Sequence, residues 1–227
     1  RALGDAYEPA SQRWYNRLRD ALKRLLKPID PFSDIPHWRR LTKEEYDAIM
    51  AKNDKDREKL CWARATEFFN RLIAASMEGL PQRYRDNWLG DLAVDGTFIA
   101  GSQRGTRKNL RPHDLVSSEP EGGWYVREGD HKDTLTAMAK TKGEARWGFE
   151  ATIVAGVIAD QGPHRQPHLI HAMSMDRPGH NPAVRALEAI RHLMGGDDVP
   201  KGTIVGDRAY FPNAREENYH EPLRRGG

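Results

Sequence analysis

The chain has 227 residues, 38% of them hydrophobic and 30% charged, with Lys+Arg 36 against Asp+Glu 33 for a formal charge of +3. That length buries a proper core in one domain or one and a half, and the slight basic excess permits a polyanionic partner without demanding one. The single cysteine, Cys61, excludes an internal disulfide framework and suits a reducing compartment, and no apolar run reaches the ~18 residues that cross a bilayer. No signal-peptide pattern opens the chain. It begins at Arg1 and stops at Gly226-Gly227, and so reads as a piece of a longer protein.

Residues 1–90 read as helical. Trp14, Leu18, Leu22, Leu25 and Leu26 fall at helical spacing among Arg13, Arg17, Arg19, Lys23 and Arg24, and Pro28 ends the run. That helix is either amphipathic with a solvated charged face or a basic helix lying against phosphates. Pro28, Pro31 and Pro36 mark a connector, and Thr42-Lys43-Glu44-Glu45 has the form of a capping box that starts a second helix. Asn53 to Asp56 breaks that helix. A third follows from Leu60 to Met77, with Trp62, Phe68, Phe69, Leu72 and Ile73 as its apolar face and Gly79 and Pro81 as its stop. Cys61 reads as a small core residue rather than a reactive thiol, and Trp14, Trp38, Trp62 and Trp88 as core rather than base-stacking side chains.

From Trp88 the period changes to that of a strand. Trp88 to Ile99 is strand-like, its Leu92 to Ile99 part is an apolar, β-branched run interrupted by Asp95, and an ionised carboxylate in a buried strand is costly unless something pairs with it. Gly96 directly after it marks a close approach of backbone or ligand. The loop over 101–112 carries Arg104, Arg107, Lys108 and Arg111, either as a solvated charge run or as a hook on phosphates. Gly122 to Val126 reads as a turn and short strand, and 127–143 as a polar loop. Arg146 to Ile158 is the longest β-like run, apolar enough in its second half to be covered on both faces. Gln161-Gly162-Pro163 turns the chain, and Leu169 to Met173 supplies an antiparallel partner. Asn181 and Pro182 stand as N-cap and first position of a helix whose face is Val184, Leu187, Ile190 and Met194, closed by Gly195-Gly196. Thr203 to Phe211 repeats the earlier grammar, a strand with an acid, Asp207, at a small-residue step. His164, His168 and His171 lie close together, but their loop context and the lack of cysteine argue against zinc. Walker A, G-x-G-x-x-G and G-x-S-x-G patterns do not occur.

The order strand with acid, strands, helix, strand with acid resembles the DDE-type transposases of bacterial insertion sequences. Val94-Asp95-Gly96-Thr97 looks like the family's first catalytic aspartate, and Gly206-Asp207-Arg208-Ala209-Tyr210-Phe211 matches its second motif. Trp147-Gly148-Phe149-Glu150 is similar to the strand between them, and Met175 to Asn181 to the loop ahead of the helix. The resemblance covers Leu92 to Phe211. It implies an α/β, RNase H-like mixed sheet flanked by helices, with a mainly helical N-terminal region over 1–87 and a catalytic domain over 88–227 that is incomplete at its C-terminus.

The resemblance further implies metal-dependent cleavage and strand transfer on double-stranded DNA. Asp95 would bridge two Mg²⁺ or Mn²⁺ ions about 4 Å apart and Asp207 would bind one, since hard divalent cations take oxygen ligands. Arg104, Arg107, Lys108, Arg111 and Arg208 are the expected DNA contacts. A homodimer is an open assembly state, and the expected location is cytoplasmic, at the nucleoid and away from membranes. The family's third acid, a glutamate with Arg and Lys at set offsets, has no counterpart. Glu216, Glu217 and Glu221 lie too close behind the strand, so the chain either stops before that residue or has lost it. The competing readings are a non-catalytic DNA-binding or interaction protein that keeps the fold, and a metal nuclease without a transfer step.

Overall fold

The computed structural model describes residues 12–126, 145–158, 168–195, 199–207, 210 and 216–226. In chain order these give α1 (Gln12–Leu26), β1 (Leu41–Thr42), α2 (Lys43–Met50), α3 (Lys55–Glu78), α4 (Gln82–Asp86), β2 (Leu92–Ala100) and β3 (Leu115–Val116). They continue with β4 (Gly123–Val126), β5 (Ala145–Gly156), β6 (Ile170–Asp176), α5 (Pro182–Met194), β7 (Ile204–Gly206), a 3-10 turn (Glu216–Asn218) and α6 (His220–Gly226). The fold is mixed α/β. None of the described helices is long and apolar enough to cross a membrane.

β5 is the hub of a mixed sheet of five strands. One edge of β5 pairs antiparallel with β2 along nine residues, from Ala100 against Gly148 to Leu92 against Gly156. Its other edge is shared, β4 taking the first turn of the strand and β6 the rest. β7 lies parallel to β2 on the far side. The alternation of side chains sends Leu92, Val94 and Val154 to one face, where α5 covers them with Ala186, Leu187, Ala189 and Ile190. The alanines bring the helix axis close to the sheet, which is why the buried stripe includes Ala183, Ala186 and Ala189 rather than Val184. A smaller core of Phe32, Ile35, Leu41 and Val116 sits under α2 and the two-stranded pairing of β1 with β3.

Several local expectations hold in detail. Thr42 caps α2, its hydroxyl accepting from the Glu45 amide at 3.2 Å while the Glu45 carboxylate accepts from the Thr42 amide at 3.0 Å. The Arg39 guanidinium and that amide hold the Glu45 carboxyl down to about 2. Cys61 is buried, as a small core residue should be.

Others are corrected. The N-terminal region is not wholly helical, because Leu41–Thr42 forms a strand with Leu115–Val116. Trp14 and Trp38 are not core, being 61% and 84% exposed, and no residue of α1 is buried. α3 buries Cys61, Ala65 and Asn70 instead of its large apolar side chains, and Leu72 is half exposed. β2 starts at Leu92, after Trp88 has turned back to donate from its indole to the Asp91 carbonyl at 2.8 Å. Asn181 stands at the N-cap of α5 in the left-handed region (φ 51°) with no side-chain cap, its amide going instead to His180. The loop expected over 127–143, the turn at 161–163, His164 and Gly196 lie outside the described residues.

Asn70 explains how α3 is held on the sheet. Its Nδ2 donates to the Met173 carbonyl and its Oδ1 accepts from the Met173 amide, both at 2.8 Å, so one side chain closes the outer edge of β6 as a further strand would. Asn70→Ala leaves both edge groups unpaired under the helix and costs about 2–3 kcal/mol, read as a shift in the urea midpoint with unchanged slope. A loss below ~0.5 kcal/mol would show that water replaces the amide there.

Candidate active site

β2 and β7 bring the two acids to the same level. The parallel register runs Leu92 with Ile204, Ala93 with Val205 and Val94 with Gly206. Asp95 and Asp207 are the next residue on each chain, so continuing the register by one step sets them beside each other, at the ~4.8 Å spacing of neighbouring strands. Both are exposed. Val94 points into the α5 core, so Asp95 points the other way, to a face on which Thr97 and Ile99 of β2 are exposed as well. The expectation of a carboxylate inside a buried strand is thereby corrected. Asp95 needs no counter-ion because its side of β2 is open, and its Oδ1 accepts from the Gly96 amide at 2.8 Å.

The register is fixed just before the acids. Asp91 Oδ1 accepts from the Thr203 amide at 2.7 Å, and the Leu92 amide donates to the Thr203 carbonyl at 2.8 Å. Two glycines permit this contact. A Cβ on Gly90 would lie 2.3 Å from the Pro200 carbonyl oxygen, and one on Gly202 would lie 2.5 Å from the Asp91 amide nitrogen. Asp91, Gly90 and Gly202 are positioning residues that the sequence reading missed. Only the unusual density of small residues before each strand could have signalled them.

Behind the acids, on the α5 side, stands Tyr210, 2% exposed. Burial pushes its hydroxyl up to about 12; a hydrogen bond with Thr152 pulls the other way, and the carboxylates of Glu150, Asp95 and Asp207 raise it further. The phenol is thus a neutral plug that lies within electrostatic reach of three acids. Glu150 is the third, but its Oε2 is engaged by the Gly179 amide at 2.6 Å. Among the described residues no group of three His, Cys, Asp or Glu is arranged to hold a metal. Two carboxylates still suit Mg²⁺, which keeps several waters and commonly binds through one or two carboxylates plus substrate phosphate oxygens.

The remaining expected contacts divide. Arg104 and Arg107 line a groove of about 690 Å³ together with Arg40, Phe98, Trp124, Arg146 and Trp147. Lys108 and Arg111 are exposed outside that groove, and the Arg111 amide closes a turn on Asp114 at 2.8 Å. Arg208 lies outside the described residues. His180 caps a turn, with Nδ1 at 2.9 Å from Asp176. His171 stacks on Trp88 with centroids 4.2 Å apart, and burial lowers its pKa. Glu216 and Glu221 are taken up by Arg224 and Arg225.

No protein-family model, curated protein or solved structure matches the chain.

Proposed function

We propose that the chain is a DDE transposase-like catalytic unit with an RNase H-like sheet, acting on phosphodiester bonds of double-stranded DNA. The observation that carries this reading is the pair of exposed acids that directly follow the paired residues Val94 and Gly206 of neighbouring parallel strands, far apart in sequence, with the strand register held by Asp91 and Thr203. Antiparallel β5 and β6 beside β2, with α5 crossing to a parallel β7, support the RNase H-like assignment.

Asp95 and Asp207 would hold Mg²⁺ or Mn²⁺. When bound, such ions activate the attacking hydroxyl or water and neutralise charge on the leaving oxygen. The chain's own groups do the rest. The carboxylates fix where a phosphate can sit, and neutral Tyr210 closes the underside without adding charge. Arg104 and Arg107 offer cations for the strand that leaves the site. A homodimer and a place at the bacterial nucleoid belong to the same proposal.

A second reading, a DNA-binding protein without chemistry, is favoured by the lack of a third acid beside Asp95 and Asp207 among the described residues. Supercoiled plasmid and Mn²⁺ separate the two. Wild-type protein is expected to give nicked and linear products. Asp95→Ala and Asp207→Ala each lose roughly a thousandfold or more, the factor for several kcal/mol of lost transition-state stabilisation. Cleavage unchanged in Asp95→Ala overturns the site, and salt-sensitive DNA binding without any cleavage establishes the second reading.

A further inference from the structure

The groove at the far end of β2 has a composition that cleavage by two acids does not call for. We propose that it binds an unpaired DNA strand, with a base stacked on Trp124 and the backbone held by Arg40, Arg104, Arg107 and Arg146. The choice of DNA as the polymer rests on the cleavage reading; the preference for a single strand does not.

Trp124 is 40% exposed, and its ring is held rather than loose. Its indole N–H donates to the Thr106 carbonyl at 2.7 Å, and it meets Trp147 edge to face with centroids 5.5 Å apart. Trp147 is itself clamped. A Cβ on Gly105 or on Gly122 would lie 2.6 Å from its ring, and its N–H points to Glu119 Oε2 at 3.2 Å. Both indole N–H groups are thus satisfied within the fold, and what Trp124 still offers is ring surface. A rigid, half-exposed aromatic face beside guanidinium groups is the general platform for an unstacked base.

The charge around it is one-sided. The four arginines lining the groove come from the β1 approach, the 101–114 loop and β5, and among the described residues no carboxylate lines it. Arg104 and Arg107 form no ion pair among the described residues. Arg40 donates one Nη to the Leu115 carbonyl, which fixes its guanidinium at the wall of the groove. A duplex presents phosphates but hides its base faces; only an unpaired strand uses the arginines and the ring together.

Placement ties the groove to the acids. Asp95 pairs with Ile153 and Trp124 with Trp147, and the alternation along β5 puts Asp95, Trp147 and Trp124 on one face of the sheet. Six residues of β5 separate Ile153 from Trp147, about 20 Å at the rise of a strand. That is about six nucleotides at the 3.4 Å step of stacked DNA, so a strand cut at the acids would reach the groove with its flanking bases.

Fluorescence anisotropy with labelled dT12 and with a blunt duplex of the same length tests this on the intact chain. dT12 is expected to bind more tightly than the duplex. Trp124→Leu keeps the bulk that seats against Gly105 but removes the stacking face, and weakens dT12 by about 5- to 150-fold. Trp124→Phe, which keeps a face, stays near wild type. Arg104→Ala with Arg107→Ala lowers the salt slope by about 1.4. Equal binding of duplex and single strand, unchanged affinity in Trp124→Leu, tighter binding of rU12, or competition by poly-glutamate as strong as by dT12 would each overturn the proposal. Protein that prefers dT12 but never nicks plasmid sinks the cleavage reading and leaves the groove; protein that nicks without that preference sinks the groove alone.

Discussion

Gly90→Ala is expected to destabilise the protein by about 3 kcal/mol, lowering Tm by ~6–12 °C for a chain of this size. Two costs combine. Gly90 has φ +94°, a backbone conformation in which a Cβ is strained by roughly 1 kcal/mol. The added Cβ would also lie 2.3 Å from the Pro200 carbonyl oxygen and 2.7 Å from the Gly202 amide nitrogen, and these are backbone atoms that cannot swing aside. Relief requires the β2 and β7 approaches to separate, which stretches the 2.7 Å bond from the Thr203 amide to Asp91 Oδ1 and the 2.8 Å bond from the Leu92 amide to the Thr203 carbonyl, the two that set the register of the acids. Gly179 is the matched control. It has φ +69° with nothing within 4 Å of its Cβ position, so Gly179→Ala incurs only the conformational cost of about 1 kcal/mol. Chemical and thermal melts of both variants make the comparison. Equal losses at the two sites would show that the strand approaches are slack and that their glycines do not hold Asp95 and Asp207 level.

What was legible in the sequence was local or periodic. The capping box at Thr42 and Glu45 needs only four residues, and the β5 run of Arg146 to Ile158 carries its β-branched pattern on its face. The acids could be singled out because a carboxylate between apolar, strand-forming residues is rare whatever surrounds it. Their adjacency could not, since it depends on Gly90 and Gly202 meeting across more than a hundred residues of chain. The packing errors have one origin: an apolar side chain was assumed to find a core. Trp38 and the Trp14–Leu26 stripe found none, whereas Asn70, polar and unremarked, is buried because it replaces a strand at the β6 edge. The arginine–tryptophan groove was half read. Arg104 and Arg107 stood out as a charge run, but Arg40 and Arg146 reach the same groove from distant segments, and no sequence window contains all four. Pattern reports which face of an element is apolar; it does not report which faces meet.

Glu121 supplies the largest expected dependence of stability on pH. Its Oε1 is closed off from solvent without a hydrogen-bond partner, beside the cavity where β6 and α3 approach each other. Burial pushes its carboxyl up to about 8; Asp30, Glu58 and Asp176 add to the rise and Arg177 opposes it. In the folded protein the group is therefore protonated at neutral pH, while in the unfolded chain it ionises near 4.3. Between those values the native state binds the extra proton, so stability is full below about pH 4 and falls as pH rises toward 8, where it levels off. The loss attributable to this one group is on the order of 5 kcal/mol, a difference of about 3.7 pKa units at about 1.4 kcal/mol each. Glu121→Gln replaces the neutral acid with a neutral amide of the same shape. The variant should match wild type at about pH 4 and exceed it increasingly up to pH 8, with the gap in urea midpoint following a single proton. A gap that stays constant across that range would mean that the Glu121 carboxylate is already ionised in the native state and that the cavity beside it admits water or a cation.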